Sequence, residues 1–238
     1  MTISRALLIV VGAALLFPVS ALAQDNNFFA GFDLSAGWAS GSSSTTNGGA
    51  AFAGGGVVNN VHFDKTIGLG GHVGYKLDSA LSAFISYQHV RGGVSWDANF
   101  PLIGAVSDFR GHAISNAIMG NLGYDWALSD LTSIEASIGL GLSINSLSNI
   151  VETDGPTGLF LSDVADHSRI SPAAQIGIGL QHKITAHLAL GLNAAIGYTG
   201  GFETGDTRSG NLGITSITPY GIDHVWRASI GASVKLEL

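Results

Sequence analysis

The residues best suited to chemistry in this 238-residue sequence are its eight histidines, its few charges and the hydroxyls near them. His112 and Ser115 lie close enough along the chain to suggest a general base and a nucleophile. Such a base must reach the hydroxyl it activates, yet residues three apart on a strand point to opposite faces, so this pair would work only across a bulge. His167 and Ser168 are adjacent and meet the same obstacle. The histidines show no His-x-x-x-His spacing and cysteine is absent, so a zinc-type ligand set is not expected. Acidic residues gather in two stretches, Glu152, Asp154, Asp163 and Asp166, then Glu203, Asp206 and Asp223. They would either attract divalent cations or keep surface loops solvated, the second being the plainer reading. Gly68-Leu69-Gly70 starts a dinucleotide-like glycine pattern, but its third glycine position is Val73 and no helix pattern follows. These residues assign no catalytic group, metal ligand or cofactor, and the expectation is a chain that is not an enzyme.

Whatever holds these side chains is not an ordinary soluble domain. Hydrophobic residues make up 46% and charged residues only 11%, against about 25% charged in typical soluble proteins. The net charge of -7 leaves no basic patch for phosphates, which excludes nucleic acid as a partner. Glycine is frequent at 34 residues without a collagen triplet, and the apolar content is too high for disorder. Residues 1–23 have the form of a cleaved export signal: Arg5, an apolar run from Ala6 to Phe17, Pro18, then Ala21-Leu22-Ala23. The run is too short for a spanning helix, which needs about 20 apolar residues, and no later run reaches that length. Residues 24–238 are therefore expected to form one domain whose apolar surface is arranged on strands.

From Phe28 onward small or polar residues alternate with large apolar ones, the period of a two-faced strand. Eight segments follow this pattern: Phe28–Trp38, Ile67–Leu77, Leu81–Val90, Ala113–Trp126, Leu131–Asn145, Ile170–Ile184, Leu188–Tyr198 and His224–Leu238. Asp78–Ala80, Ala127–Asp130 and Thr185–His187 are tight turns, while the other four connections are long and rich in Gly, Ser, Asn, Asp and Thr. One parity carries no Asp, Glu, Lys or Arg. The other is lined with Gly, Ser, Asn and Gln and holds the charges, as in a wet lumen. A soluble barrel would have the opposite sense, with a packed apolar interior. The expected fold is all-β: an eight-stranded antiparallel up-and-down transmembrane barrel with four long extracellular loops and three short periplasmic turns.

Two sets of side chains gain a role from this arrangement. Trp38, Tyr87, Tyr198 and Trp226 fall at the long-loop ends of their strands, and Phe28, Tyr75, Tyr124 and Trp126 at the turn ends, as two interfacial aromatic girdles. Inside, Asp33, Asp125, Glu135 and Glu237 oppose Lys76, Lys183, Arg227 and Lys235, with His72 added, as a lumen charge network. Balanced charges can pair and plug so narrow a barrel. Inward glycines would leave room for water or serve strand curvature, and both readings stand. Aligning the girdles of the first two strands sets Phe28 against Leu77, Trp38 against Ile67 and Asp33 against His72, a structural hydrogen bond or a pH-dependent constriction.

The opening Phe28-Phe-Ala-Gly-Phe-Asp-Leu-Ser-Ala-Gly-Trp38 and the closing His224-Val-Trp-Arg-Ala-Ser-Ile-Gly-Ala-Ser-Val-Lys-Leu-Glu-Leu238 resemble the first and last strands of small eight-stranded Gram-negative outer-membrane proteins. These include opacity-type surface proteins, alphaproteobacterial porin-like proteins and the transmembrane domain of outer membrane protein A. The usual terminal aromatic residue is replaced by Leu238. The resemblance implies residence in the outer membrane, contact with its lipid and lipopolysaccharide, and an envelope-structural or surface-interaction role through the loops, with an unidentified extracellular partner. A narrow diffusion pore is the second reading. The third is a lipid A-modifying enzyme, although deacylases of this architecture carry His and Ser two residues apart rather than three.

Overall fold

The computed structural model describes residues 27–43, 45–47, 56–101, 104–211 and 213–238, so the expected export signal lies outside the described residues. In chain order the described strands are β1 (Phe28–Ser42), β2 (Thr46–Asn47), β3 (Gly56–Phe63), β4 (Thr66–Lys76), β5 (Leu81–Phe100), β6 (Ala105–Ala127) and β7 (Thr132–Asp154). They continue with β8 (Phe160–Val164), β9 (His167–Lys183), β10 (Leu188–Glu203), β11 (Thr207–Gly210), β12 (Gly213–Ser216) and β13 (Gly221–Glu237). Eight of them close a ring in the order β1-β4-β5-β6-β7-β9-β10-β13 and back to β1, every pair antiparallel.

Three turns join ring strands at one end, and each starts with a short polar side chain that ties the turn. Oδ1 of Asp78 accepts from the N–H groups of Ala80 and Leu81, both at 2.7 Å. Those bonds hold its carboxyl below the usual range. Ser129 Oγ does the same for Leu131 and Thr132, and Thr185 Oγ1 for His187. Asp, Ser and Thr favour this geometry because their side chains can bond backbone two residues on.

Above these turns the outward face is apolar and unburied by protein. Leu140 is 68% exposed and Ile178 56%. Apolar side chains at this density over a whole barrel wall match lipid rather than water. Aromatic side chains lie toward both of its ends. Phe28 meets Tyr75 and Tyr124 meets Trp126 at the turn end, ring centroids 4.9 and 4.7 Å apart. At the loop end Tyr198 meets Trp226 at 5.3 Å, Trp38 is exposed, and the Tyr87 hydroxyl donates to Asn116.

The strands then run far past the lipid. β7 has 23 residues and β5 has 20, whereas about 9–11 tilted residues cross a bilayer. The long connections expected as loops after Val90 and Asn145, and before Ala113, are thus continuous β-structure over much of their length. β3 pairs with the top of β5, β8 with the top of β7, and the β11–β12 hairpin extends β8. Along β5 the faces exchange character: Ser82, Ser86 and Gln88 point inward within the lipid band, and Val94, Trp96, Ala98 and Phe100 point inward above it. The environment reverses outside the membrane, so the apolar parity must reverse with it. On β7 a bulge makes the exchange. Arg110 pairs with Val151 but His112 with Ser148, which adds one residue to β7, and Asn149 takes a positive φ of 51°. That extra residue turns Ile150 and Glu152 inward.

The first-strand register differs from the expected alignment by two residues. Phe28 pairs with Tyr75 and Ala36 with Ile67, and His72 lies opposite Gly31 rather than Asp33. The pleat keeps parity under a two-residue slip, so Asp33 and His72 still share the inner face.

Candidate functional site

The inward side chains form layers up the lumen. Near the turns, Lys76 Nζ lies 2.6 Å from Glu237 Oε1, and Lys235 Nζ 3.1 Å from Glu135 Oε2, which also accepts from Gln181 Nε2 at 2.7 Å. Lys235 is 3% exposed, and its ammonium lies 4.4 Å from the centre of the Phe29 ring, a cation–π contact in a desolvated place. Asp125 Oδ1 is buried with no hydrogen-bond partner among the described residues, and Lys183 is exposed at the end of β9.

In the middle, Nδ1 of His72 lies 3.0 Å from Asp33 Oδ2, and Asn193 Nδ2 donates to Asp33 Oδ1 at 3.4 Å. The imidazole lies where a side chain on Gly31 would be: a Cβ there would come 2.2 Å from His72 Nε2. This inward glycine therefore makes room for the His72 ring and not for a passage. Gln88 on β5 donates to Gln175 on β9 at 2.9 Å, bridging strands that are not neighbours. These groups border a polar cavity of about 110 Å³, room for several waters.

Arg227 closes the top of that cavity, its Nη2 donating to Ser35 Oγ at 3.0 Å. Above it the lumen is filled by the apolar core of the strand extensions. Trp96 stacks on Phe109 with centroids 5.3 Å apart and planes 2° from parallel, and Tyr220 packs on Phe109 at 4.9 Å. Leu147, Ile150, Phe202 and Ile222 complete the packing. The lumen thus holds ion pairs below and a hydrophobic core above.

Inside the extension sits a second polar cluster. Glu152 is 1% exposed and accepts from Arg208 Nη1 at 3.0 and 2.9 Å and from Ser162 Oγ at 2.5 Å. The pair ties the β11–β12 hairpin to β7. Burial, with Glu152 nearby, pushes the Tyr220 phenol well above its usual range.

The expectation for the acidic loop residues is corrected in part. Glu152 is an internal ion-pair partner, not a solvated tip or a cation ligand. Asp223 and Glu203 share Arg169 at 3.4 and 4.0 Å. Asp166 accepts the N–H of Asn149 at 2.9 Å, and Asp154 that of Thr157 at 3.0 Å. Ser115 points inward and is buried, while His112 lies on the other face of β6. The bulge that could have joined them lies on β7, so this pair does not assemble. Ser168 Oγ lies 2.7 Å from Ser146 Oγ instead of engaging its neighbour His167. What sequence reasoning missed is the core of Val94, Trp96, Ala98 and Phe100. Its signal is the strict alternation with Ser95, Asp97 and Asn99, running on past the point where a loop was expected.

Residues 9–216 match the model of the outer membrane protein beta-barrel domain. The chain belongs to that family. OprG from Pseudomonas aeruginosa is similar at 13% identity and a TM-score of 0.50, over 89% of this chain and 97% of that one. Neisserial surface protein A matches at 14% identity and a TM-score of 0.42, over 89% and 97%. The outer membrane protease OmpT from Escherichia coli matches at 6% identity and a TM-score of 0.49, over 90% and 98%. At these identities the likeness speaks to fold alone. No curated protein matches the chain. Family membership places the protein in the outer membrane of a Gram-negative bacterium as an antiparallel barrel. The expectation that the chain is not an enzyme does not stand: OmpT is a protease among the solved barrels that match it, so this fold gives no ground for excluding catalysis.

Proposed function

We propose that this family member is a surface protein whose barrel anchors a folded platform outside the cell, and that its role is exerted through that platform. The carrying observation is the apolar core around Trp96, Phe109 and Tyr220, which sits beyond the lipid band and inside the strand extensions. Such a core gives the loop end a fixed shape suited to holding a partner, and it blocks the path a solute would take. In this reading the tight turns at Asp78, Ser129 and Ala186 face the periplasm, the loop end meets lipopolysaccharide and an external partner, and residues 1–23 are removed on export. An epitope inserted at Gly155 should be accessible on intact cells and one at Ser129 hidden. The refolded protein should carry negligible current in planar bilayers. Steady conductance would replace the platform by a narrow pore, and the reverse pattern of epitope access would overturn the orientation.

A further inference from the structure

We propose that Arg227 forms a buried binding site for one small monovalent inorganic anion at the top of the lumen. The inward charges are equal in number but not in position. Lys76 and Lys235 have carboxylate partners and Lys183 is exposed, whereas Arg227 makes no ion pair among the described residues. Among the described residues its guanidinium donates to the neutral Ser35 hydroxyl, and its buried Nε–H meets no acceptor. Asp33, two residues along the same face of β1, is already engaged by His72 and Asn193.

The surroundings make that unpaired charge costly and give an anion room. Arg227 borders both the cavity of about 110 Å³ below it and a mostly apolar one of about 30 Å³ above, where Phe63, Val90, Phe202 and Val225 share the wall with the neutral hydroxyls of Thr66, Ser115 and Thr199 and no carboxylate is present. A guanidinium held between such walls is stabilised most by an opposite charge in direct contact. Gly68 lets the Ser35 hydroxyl and the guanidinium lie close against the β4 backbone: a Cβ there would come 2.5 Å from Ser35 Oγ and 3.2 Å from Arg227 Nη2. The Ser35 and Ser229 hydroxyls and the Gln88 amide share the cavity and can add neutral donors. One uncompensated positive charge calls for one negative charge. Glu135 and Asp33 also border the cavity, each engaged by a donor of its own, and repel an anion in proportion to its charge, which disfavours a multiply charged ion most. A halide-sized anion fits these limits.

Bromide is the probe. The full mature chain is refolded and crystallised in sodium bromide, and its melting temperature is compared with that in sodium gluconate at equal ionic strength, gluconate being too large for the site. The expected result is an anomalous bromide peak in hydrogen-bonding contact with Arg227 Nε or Nη2, with a bromide-specific rise of several degrees that Arg227→Gln abolishes. Arg227→Lys, which keeps the charge, should retain part of the rise and covers the case in which Arg227→Gln does not fold. Wild-type crystals with water rather than bromide at Arg227, or a rise that persists in Arg227→Gln, would overturn the site. Neither result depends on what the loop end does.

Discussion

Lys235 on β13 reaches Glu135 on β7 across the lumen at 3.1 Å, with β9 and β10 lying between their strands in the ring. Both side chains are largely removed from solvent, at 4% and 17% exposure. Removing either partner leaves the other charge buried alone. Glu135→Gln and Lys235→Met should each cost about 3 kcal/mol, and the double variant clearly less than the sum. Reversible urea titrations in lipid vesicles measure this, and strictly additive losses would mean that the pair is not coupled.

The lipid face predicts a different sensitivity. Leu140→Arg, with its side chain in the membrane, should lose about 2–4 kcal/mol. Ser143, which sequence parity alone would offer as a tolerant lumen position, is fully buried and bonds the carbonyl of Thr199 at 2.7 Å. Arginine does not fit there. Ser137, which borders the polar cavity two residues from Glu135, is the proper control, and Ser137→Arg should lose much less than Leu140→Arg. Equal losses in the same titration would count against the face assignment.

Trp96→Ala tests whether the extension is a packed unit. Removing the ring leaves a cavity against Phe109 and Tyr220 and should cost about 3–5 kcal/mol. The expected readout is rapid proteolysis within residues 91–112 and 146–166, while the lipid-embedded strands stay protected. Unchanged proteolysis would show that Trp96 does not hold the extension together.

At Gly31 the prediction is steric. A methyl group there would displace the His72 ring, so Gly31→Ala should lose about 1–3 kcal/mol. Adding His72→Ala to the same chain should recover most of that loss. Failure to recover would place the conflict with backbone, where Val234 O lies 3.0 Å from the same Cβ position.

Tyr220 gives a pH dependence outside the membrane. Its pKa in the folded protein is raised above the ordinary phenol value of 10.0, chiefly by burial. The contribution to stability is therefore complete below pH 10 and is lost as pH rises beyond it, because the unfolded chain ionises first. Tyr220→Phe removes that loss, and since the hydroxyl has no hydrogen-bond partner among the described residues, it should change stability at neutral pH by less than about 1 kcal/mol. Thermal melts at neutral and strongly alkaline pH compare the two proteins. A variant as alkali-labile as the wild type would assign the lability to other groups.

Within the lipid band the sequence by itself determined strand number, turns and facing. There a side chain has only two environments, lipid or lumen, and a period of two separates Leu140 from Ser143 without knowledge of any partner. The turns at Asp78, Ser129 and Thr185 were legible for the same local reason, since each closes on its own backbone. Which inward groups meet was not legible. Lys235–Glu135 and Gln88–Gln175 depend on barrel shear, and a two-residue slip, invisible to parity, moved His72 from opposite Asp33 to opposite Gly31. Equal counts of charge likewise concealed that Arg227 forms no ion pair among the described residues. Above the membrane the rule changed sign. Water now lay outside and protein inside, so the polar–apolar alternation that had marked lipid and lumen marked surface and core, and a bulge at Asn149 shifted its phase. Only the tertiary structure placed Trp96, Phe109, Leu147 and Tyr220 in contact, because a hydrophobic core is formed between distant segments and is not a property of any one of them.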